Sequence, residues 1–332
     1  MRRNPKPKRR YRLRNWCEYT TARRTRGSLT LWCDEAVVAG WVARERTGRR
    51  GRSRTYSDLA ITCMLTLQTV YHLSLSATVG LMRSLLTLVG GAAAALPIAH
   101  ESTLSRRRRP LGVALLPPAR LTPGEPVHLV VDSTGLKVYG EGEWKVRQHG
   151  WTRRRRWVKV HLGVDAGTQE VRVADVTAST APDGRHLSAL LAQEPAALAQ
   201  VTGDGAYEGR ACYAAVAARP EHPRAVFPPR ARGRRRPRIR QHGNCHAPPL
   251  ARDAHLRRIR RVGRARWKRE VGYHRRSLAE TAMSRLKTIF GDRVSARAHD
   301  GEATQVFLRC AALNRMTALG MPTSYPRDAP AA

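Results

Sequence analysis

The stretch Tyr273-His-Arg-Arg276-Ser-Leu-Ala-Glu280-Thr-Ala-Met-Ser-Arg-Leu-Lys287 places one carboxylate among several cations and a phenol. With 3.6 residues per helical turn, Tyr273, Arg276, Glu280 and Lys287 would share one narrow sector of a helix. The opposite sector is apolar, as a core-facing stripe should be, and comprises Leu278, Ala282, Leu286 and Ile289. We therefore predict a helix over residues 277–290 that offers a lone acid beside phosphate-binding groups, which suits chemistry on a nucleic-acid backbone.

The charge balance of the whole chain points in the same direction. Lys and Arg number 61 against 25 Asp and Glu, which gives a formal charge of +36 over 332 residues. So large an excess goes beyond what solubility requires and indicates a polyanionic partner, of which nucleic acid is the commonest. Drift in base composition from Lys to Arg would explain the preference for Arg, but it would not explain the shortage of acids.

The cysteines argue against two classes of protein. All six are scattered without a CxxC pair, which favours a reducing compartment over a disulfide framework or a ribbon-type zinc site. His242, Cys245, His246 and His255 are near one another in the sequence. Because they fall in a Pro- and Arg-rich stretch, we interpret their proximity as coincidence rather than as a zinc site.

Two segments bear on targeting and membranes. Residues 59–82 carry no formal charge, but Gln68, His72 and several Ser and Thr interrupt them, so paired core helices fit better than a membrane span. Residues 1–10 are basic and lack the apolar region of a secretory signal, so we expect a tail that contacts phosphates. We expect no association with membranes.

The first third of the chain has helical texture. Ser57 is a candidate N-cap for a helix over 59–72, and Ser74 or Ser76 for a second helix that ends at Val89. Residues 102–109 have the pattern of a third, short capped helix with a basic end. This arrangement indicates a helix-turn-helix-like DNA-binding module, although a helical subdomain with a solvated Arg run fits equally well.

After Pro118 the pattern changes to that of an α/β domain. Val127 to Asp132 is an almost continuous apolar run, typical of a strand buried on both faces. Strands are also predicted over 157–164, 170–176, 198–203 and 224–227. Helices are predicted from after Pro182-Asp183-Gly184 to Gln193, over 211–218, from 256, and over 305–319. Asp165 is interpreted as a turn residue and Asp183 as a helix N-cap.

These changes of texture define the predicted domains. We assign residues 1–50 to a basic N-terminal segment, 51–118 to the helical DNA-binding domain, 119–321 to the catalytic domain and 322–332 to a disordered tail. The catalytic domain contains an Arg/Pro-rich insertion at 228–250.

Two more acids stand where catalytic groups often lie. Asp132 ends the first buried strand, with Ser133 to Gly135 turning the chain away, and Asp204 follows another strand between two glycines. Groups at strand ends project into the crevice where open α/β sheets bind ligands. Together with Glu280, three carboxylates could converge, and their repulsion implies divalent metal ions. Hard oxygen ligands suit Mg²⁺ or Mn²⁺, and two such ions would activate the attacking oxygen and stabilise the leaving one.

The spacing Tyr-x2-Arg-x3-Glu-x6-Lys of residues 273, 276, 280 and 287 resembles the signature of the bacterial DDE insertion-sequence transposases. The segments Val131-Asp132-Ser-Thr-Gly135 and Gly203-Asp204-Gly-Ala-Tyr207 resemble the first-Asp and second-Asp segments of that family. The likeness continues through Leu313-Asn-Arg-Met316 and covers roughly residues 25–320.

The resemblance implies a fold, an activity and roles for residues. It implies an RNase H-like core, a mixed central sheet between helices, in which Asp132, Asp204 and Glu280 hold the metal ions. It implies that Arg276 and Lys287 grip DNA phosphates with the assistance of Tyr273. The implied activity is DNA cleavage at the terminal inverted repeats of the element, followed by attack of the freed 3′-hydroxyl on target DNA. We expect a homodimer in a synaptic complex, in a cytoplasmic, nucleoid-associated protein.

Two alternatives to an active transposase remain. A decayed relative could bind the repeats without cutting them, although all three acids and their cations are present. A recombinase with a tyrosine nucleophile would use the His-x-x-Arg element His255-Leu-Arg-Arg258 and then Tyr273, but the spacing is short and the upstream Arg cannot be identified. No GxxxxGK[ST] occurs, which disfavours a P-loop ATPase.

Overall fold

The computed structural model describes residues 11–44, 53–109, 111–113, 115, 125–138, 156–230, 239 and 251–326. Most of the predicted insertion at 228–250, the tail beyond 326, Cys245 and the two His residues beside it lie outside the described residues. The strands are β1 (Tyr11–Leu13), β2 (Val127–Val138), β3 (Trp157–Asp165), β4 (Val171–Ala178), β5 (Leu198–Thr202), β6 (Arg224–Val226), β7 (Arg293–Val294) and β8 (Ser324–Pro326).

The α-helices lie before, between and after the strands of the sheet. They are α1 (Trp16–Thr25), α2 (Leu29–Trp32), α3 (Glu35–Ala39), α4 (Asp58–Val70), α5 (Leu75–Val89), α6 (Gly91–Ala94), α7 (Glu101–Arg108), α8 (Asp183–Ala192), α9 (Arg210–Ala217), α10 (Ala251–Val262), α11 (Arg264–Glu270), α12 (Ser277–Phe290) and α13 (His299–Leu319). Short 3₁₀ turns cover Gly205–Tyr207 and Tyr273–Arg276.

A mixed sheet forms the centre of the molecule, with the strand order β4-β3-β2-β5-β6. The strands β2, β3 and β4 form an antiparallel meander, β5 and β6 run parallel to β2, and β7 pairs with the far end of β2. A meander followed by parallel strands, with helices on both faces, is the RNase H-like arrangement that the resemblance implies.

Each face of the sheet has its own core, since side chains alternate along a strand. Leu129 and Val131 of β2 pack with the apolar residues of α8 and α9. Val130 and Leu136 of the same strand belong to the other core, which includes residues of α12 and α13. The strand β2 is therefore buried on both faces, as its apolar run predicts.

The strand β2 does not end at Asp132, so that prediction is wrong. It continues to Val138, and Asp132 stands opposite Leu162 of β3. Ser133 and Thr134 continue the pairing, and Gly135 is covered by the indole of Trp157, since a Cβ atom there would lie 3.1 Å from its Cε3 atom. The glycine thus accommodates a neighbouring ring within the sheet instead of turning the chain.

The first helices begin at the predicted caps. Ser57 accepts a hydrogen bond from the backbone N–H of Ala60 at 3.0 Å, and Ser74 accepts one from Ala77 at 3.1 Å. The helix α7 begins one residue earlier than predicted, at Glu101, because His100 caps it. Within the part of the chain that is described, no single helix is long and apolar enough to cross a membrane; α4 and α5 pass such a test only as a pair bent by 112°.

The N-terminal helices share a core with the sheet. Ile61 and Leu65 of α4 belong to the same apolar cluster as Leu136 of β2 and Leu313 of α13. The proposed division at residue 118 and the helix-turn-helix-like role of these helices stay predictions.

The two ends of the described chain are joined. The strand β1 pairs antiparallel with β8, with Tyr11 opposite Pro326 and Leu13 opposite Ser324. Asn15 reinforces the pairing, because its side chain donates to Met321 O at 2.9 Å and accepts from the N–H of Thr323 at 2.8 Å.

One side chain of the long helix α13 forms hydrogen bonds with the backbone of β4, the strand at the sheet edge. Asn314 lies in the buried part of α13; its Oδ1 accepts from the N–H of Val171 at 2.7 Å and its Nδ2 donates to the carbonyl of Val171 at 2.7 Å. The amide thus satisfies both backbone groups of a β4 residue, as a neighbouring strand would.

Asn314→Ala is expected to lower the free energy of unfolding by about 2–4 kcal/mol, because it leaves a buried N–H and a buried C=O unsatisfied. Urea denaturation followed by circular dichroism measures the change. Arg315→Ala is the matched control on the same helix: Arg315 forms a partly exposed ion pair with Asp34 at 3.2 Å, and such pairs contribute about 1 kcal/mol or less. Equal losses in the two variants would contradict the proposed role of Asn314.

Candidate active site

Asp132 lies in the middle of β2, on the face that α12 covers. Its Oδ1 accepts from the N–H of Ser133 at 2.9 Å, and its Oδ2 accepts from Arg276 Nη1 at 2.9 Å. The pKa of Asp132 is raised, first by burial and then by the negative charges of Asp204 and Glu280, although Ser133 and Arg276 oppose the shift. The two other predicted acids are therefore close enough to act on it.

Asp204 lies two residues beyond the end of β5. It caps the 3₁₀ turn Gly205–Tyr207 by accepting from the N–H of Ala206 at 2.7 Å, and Arg230 Nη2 lies 3.6 Å from its Oδ2. A Cβ atom on Gly205 would lie 2.5 Å from Arg230 Cγ. The glycine after Asp204 therefore leaves room for a cation, in this structure the arginine side chain.

Glu280 lies in the first turn of α12, and Arg276 precedes that helix. The α-helix begins at Ser277, while Tyr273 and Arg276 lie in the preceding 3₁₀ turn, so the α-helical period does not extend back to them. The predicted range 277–290 is thus correct, and Ala282 and Leu286 are buried as the apolar stripe predicts.

One guanidinium joins two of the acids. Arg276 donates from Nη1 to Asp132 and from Nη2 to Glu280 Oε1, although Asp132 is 144 residues away in the chain. Burial disfavours the charge of Arg276, but Tyr273, Asp132, Glu280 and Asp204 together raise its pKa. Arg276 therefore brings Asp132 and Glu280 together by direct contact, whereas Asp204 acts on it only through its charge and lies 3.6 Å from Arg230.

Tyr273 belongs to this group, whereas Lys287 stands apart. The ring of Tyr273 packs against Trp267 with centroids 5.8 Å apart, and burial raises its pKa, with a further contribution from Asp204. Lys287 is half-buried near the end of α12; its carbonyl accepts from the N–H of Gly291, but its ammonium has no ion pair among the described residues. Its ammonium is thus available for an external anion.

A polar network behind Asp132 was not predicted. Asp183 is the first residue of α8 and not its N-cap, which is Pro182, so that interpretation is wrong. The carboxylate of Asp183 instead accepts from the hydroxyl of Ser133 at 2.8 Å and lies 3.2 Å from Lys159 Nζ. Since Ser133 also donates its N–H to Asp132, this network fixes the backbone beside the first acid.

The imidazole of His161 lies next to that network. It is fully buried; Nε2 is 2.9 Å from the hydroxyl of Thr177, and Nδ1 is 3.8 Å from Asp183. Burial, assisted by the neighbouring His186, lowers the pKa of His161 to about 4. The one sequence signal for this network is the alternation of Lys159 and His161 along β3, which indicates that both side chains lie on the same face of the sheet.

His255, on which the tyrosine-recombinase alternative depends, has structural partners at both ring nitrogens. Its Nε2 lies 2.8 Å from the carbonyl oxygen of Ala225, and its Nδ1 accepts from Trp267 Nε1 at 3.2 Å.

The turn role assigned to Asp165 is confirmed, because its carboxylate accepts from the N–H groups of Gly167 and Thr168, both at 3.0 Å.

Comparison with known proteins identifies the family. A family model described as "Transposase DDE domain" matches residues 123–315, and a second model with the same description matches residues 24–141. The first match spans more than half of the chain, which therefore belongs to the DDE transposases, the class that carries out DNA transposition and recombination with divalent metal ions. A cryo-EM structure of a piggyBac transposase synaptic complex with hairpin DNA is similar over 90% of this chain and 76% of that chain, at 11% identity and a TM-score of 0.39.

The chemistry of the three acids fits divalent ions. Carboxylate oxygens are the ligands that Mg²⁺ and Mn²⁺ prefer. The pKa of Asp132 is raised first by burial and only then by the charges of Asp204 and Glu280, and a cation would offset these effects. Within the described residues, no three His, Cys, Asp or Glu side chains lie close enough to hold an ion as they stand. Arg276 instead pairs with Asp132 and Glu280, so ions at these acids must exchange places with its guanidinium.

Acid should destabilise the protein through His161. Its folded pKa of about 4 lies below the ordinary 6.5, so between these values the unfolded chain binds a proton that the folded chain does not. The contribution of neutral His161 to the free energy of unfolding is therefore fully present above pH 6.5. It decreases as the pH falls toward 4, by up to about 1.4 kcal/mol per pH unit. His161→Gln should remove this contribution to the slope of unfolding free energy against pH. Parallel slopes in parent and variant would contradict it.

Arg276→Gln is expected to bind Mn²⁺ several-fold more tightly than the parent, because the ion no longer displaces a guanidinium from Asp132 and Glu280. Isothermal titration calorimetry without DNA measures this affinity. Arg266→Gln is the matched control, since Arg266 also pairs with an acid four residues on, Glu270, at 3.1 Å. If the Arg276 variant binds Mn²⁺ no better than the Arg266 variant, Arg276 does not compete with the ion.

Proposed function

We propose that this protein is an active transposase that binds the terminal inverted repeats of its insertion sequence and catalyses metal-dependent strand cleavage and strand transfer. One observation carries the proposal: Asp132 in the sheet and Glu280 on α12 both bond to Arg276, and the charge of Asp204 also acts on that guanidinium. These three acids are the residues expected from the resemblance to act in catalysis. Family membership supplies the reaction class.

The accessibility of the acids suits a polymeric substrate. The exposed fraction of the side chain rises from 18% for Asp132 to 35% for Asp204 and 53% for Glu280. Asp132 is thus anchored in the rigid sheet, while Glu280 is free to change partners. A phosphodiester approaching from solvent would meet Glu280 first and Asp132 last.

The three acids would hold the ions, most suitably two Mg²⁺ or Mn²⁺. When bound, such ions supply positive charge that activates the attacking water or 3′-hydroxyl and stabilises the leaving oxygen. The residues of the chain orient the substrate. Arg276, once released from the acids, can donate two parallel hydrogen bonds to a phosphate, whereas Lys287 offers a single point charge. Tyr273 would assist by placing its phenol beside the cut.

The partner in this proposal is double-stranded DNA, both the repeats and the target. The formal charge of +36 supports a polyanionic partner. Two ends must be cut and joined in one event, so we propose a homodimer in a synaptic complex. The place of action would be the cytoplasm, in association with the nucleoid.

Asp132→Asn, Asp204→Asn and Glu280→Gln should each lower the rate of cleavage on the order of a thousandfold, since metal ions supply several kcal/mol of transition-state stabilisation. The substrate is duplex DNA from the flanks of the reading frame, with its inverted repeats, in Mg²⁺ or Mn²⁺. Cleavage is followed on denaturing gels and binding by electrophoretic mobility. Glu35→Gln, at an exposed acid in the first turn of α3, is the matched control.

Three outcomes would overturn parts of the proposal. Cleavage at the parent rate in all three variants would refute the site assignment. A parent protein that binds its repeats tightly but never nicks them would establish the binding-only alternative. A covalent protein–DNA adduct that disappears in Tyr273→Phe would establish a tyrosine nucleophile.

A further inference from the structure

A cavity separate from the three acids lies at the junction of the N-terminal helices with the C-terminal part of the chain. Its volume is about 590 Å³, and its lining includes Gln68 of α4, Ser74 before α5, Arg108 and Arg109 at the end of α7, and Arg297 and Ala298 before α13. We name it the Arg108 cavity. Among the described residues that line it, none is a carboxylate.

Arg108 is a buried cation with unused hydrogen-bonding capacity. Only 6% of the residue is exposed, and its Nη2 donates to Gln68 Oε1 at 2.7 Å. Its Nε is buried and has no hydrogen-bond partner among the described residues. A buried charge is costly unless it is paired. The hydrogen-bond partner of this guanidinium, Gln68, is neutral, so an anion bound beside Arg108 would be stabilised.

The N-terminus of α13 faces the same cavity. This helix is 21 residues long, and its N-cap, Ala298, has no side chain able to accept from the first N–H groups. A Cβ atom on Gly301, in the first turn, would lie 3.7 Å from Arg108 Cδ, so the arginine packs on that turn. Free N–H groups and the helix dipole both favour an anion at this end.

The charged side chains that line the cavity are all arginines, whereas two acids, Asp300 and Glu302, lie in the first turn of α13. Arg109 and Arg297 are exposed and line the cavity. Glu302, a buried acid in the first turn of α13, is engaged with Arg156, whose Nη2 lies 3.0 Å from its Oε2. Three arginines and the N-terminus of α13 thus line the same cavity. Its volume of about 590 Å³ is larger than a single phosphate group requires.

We propose that the Arg108 cavity binds a phosphate of the DNA backbone and holds the duplex at the junction of the N-terminal helices and the catalytic core. The proposal rests on the proposed function in one respect, that DNA is the substrate. Arg108 and the first turn of α13 bind the phosphate itself, while Arg109 and Arg297 neutralise its neighbours along the strand. DNA would thereby be anchored at a second place, independent of metal ions.

The test measures affinity for the flanking-repeat duplex in EDTA over a series of salt concentrations, by fluorescence anisotropy. Without metal no cleavage occurs, so the result is independent of whether the protein cuts DNA. Arg297→Gln and Arg109→Gln should each reduce the slope of log affinity against log salt by about 0.9, the loss of one phosphate contact. Arg83→Gln, an exposed arginine of α5 outside the cavity, is the control and should change the slope less. Equal changes in all three variants would overturn the proposal.

A measurement on the unmodified chain avoids any effect of substitution on folding. Hydrogen exchange in EDTA should show that the duplex slows exchange at the amides of His299, Asp300 and Gly301. No added protection there would refute the proposal. Inorganic phosphate alone is the second probe: if it protects these amides and the duplex does not, the cavity binds a free anion and the DNA assignment is wrong.

Discussion

The ion pair between Asp132 and Arg276 joins the two halves of the candidate site. It connects the centre of the sheet to the turn that leads into α12, across 144 residues of chain. Without a cation at this point, the carboxylates of Asp132 and Glu280 would repel each other. Apolar residues such as Ala282 and Leu286 hold α12 on the sheet, while Arg276 sets the balance of charge between Asp132 and Glu280.

This arrangement couples the fold to the chemistry. The residue that neutralises the acids in the free protein is also the one best suited to grip a phosphate, because a guanidinium can pair with either kind of oxygen anion. Arg276 can therefore pair either with the acids or with a phosphate of the substrate, and metal ions compete with Arg276 for the acids. Behind them, Ser133, Asp183 and Lys159 hold the backbone of β2 by neutral and ionic hydrogen bonds that need not change during the exchange.

Local patterns in the sequence were sufficient for most of the fold. The caps Ser57 and Ser74, the range of α12 and the buried character of β2 follow from short-range rules, since the responsible contacts lie within a few residues. The family resemblance also indicated Asp132, Asp204 and Glu280. Asp132 and Glu280 pair with Arg276, whereas Asp204 lies beside Arg230. Their catalytic roles stay predictions.

What the sequence could not provide depends on contacts between distant residues. The strand β2 continues past Asp132 because β3 and β7 pair with it and Trp157 covers Gly135, none of which can be read from the segment Ser133 to Gly135. The local sequence predicts that Asp183 is a cap, because nothing near it reveals its actual partner, Ser133, which is 50 residues earlier. The Arg108 cavity brings together residues from α4, α7 and α13, whereas the run of arginines at 106–109 in isolation indicates only a basic end.

The pairing of β1 with β8 brings residues 11–13 against residues 324–326. Residues near both ends of the described chain therefore lie side by side, which is the geometry that circular permutation requires. A circular permutant that links these ends and opens a surface loop elsewhere would retain each strand neighbour and both cores. Conversely, a bulky fusion partner attached close to either end would strain the same small ribbon, so long linkers are the rational choice when the protein is labelled.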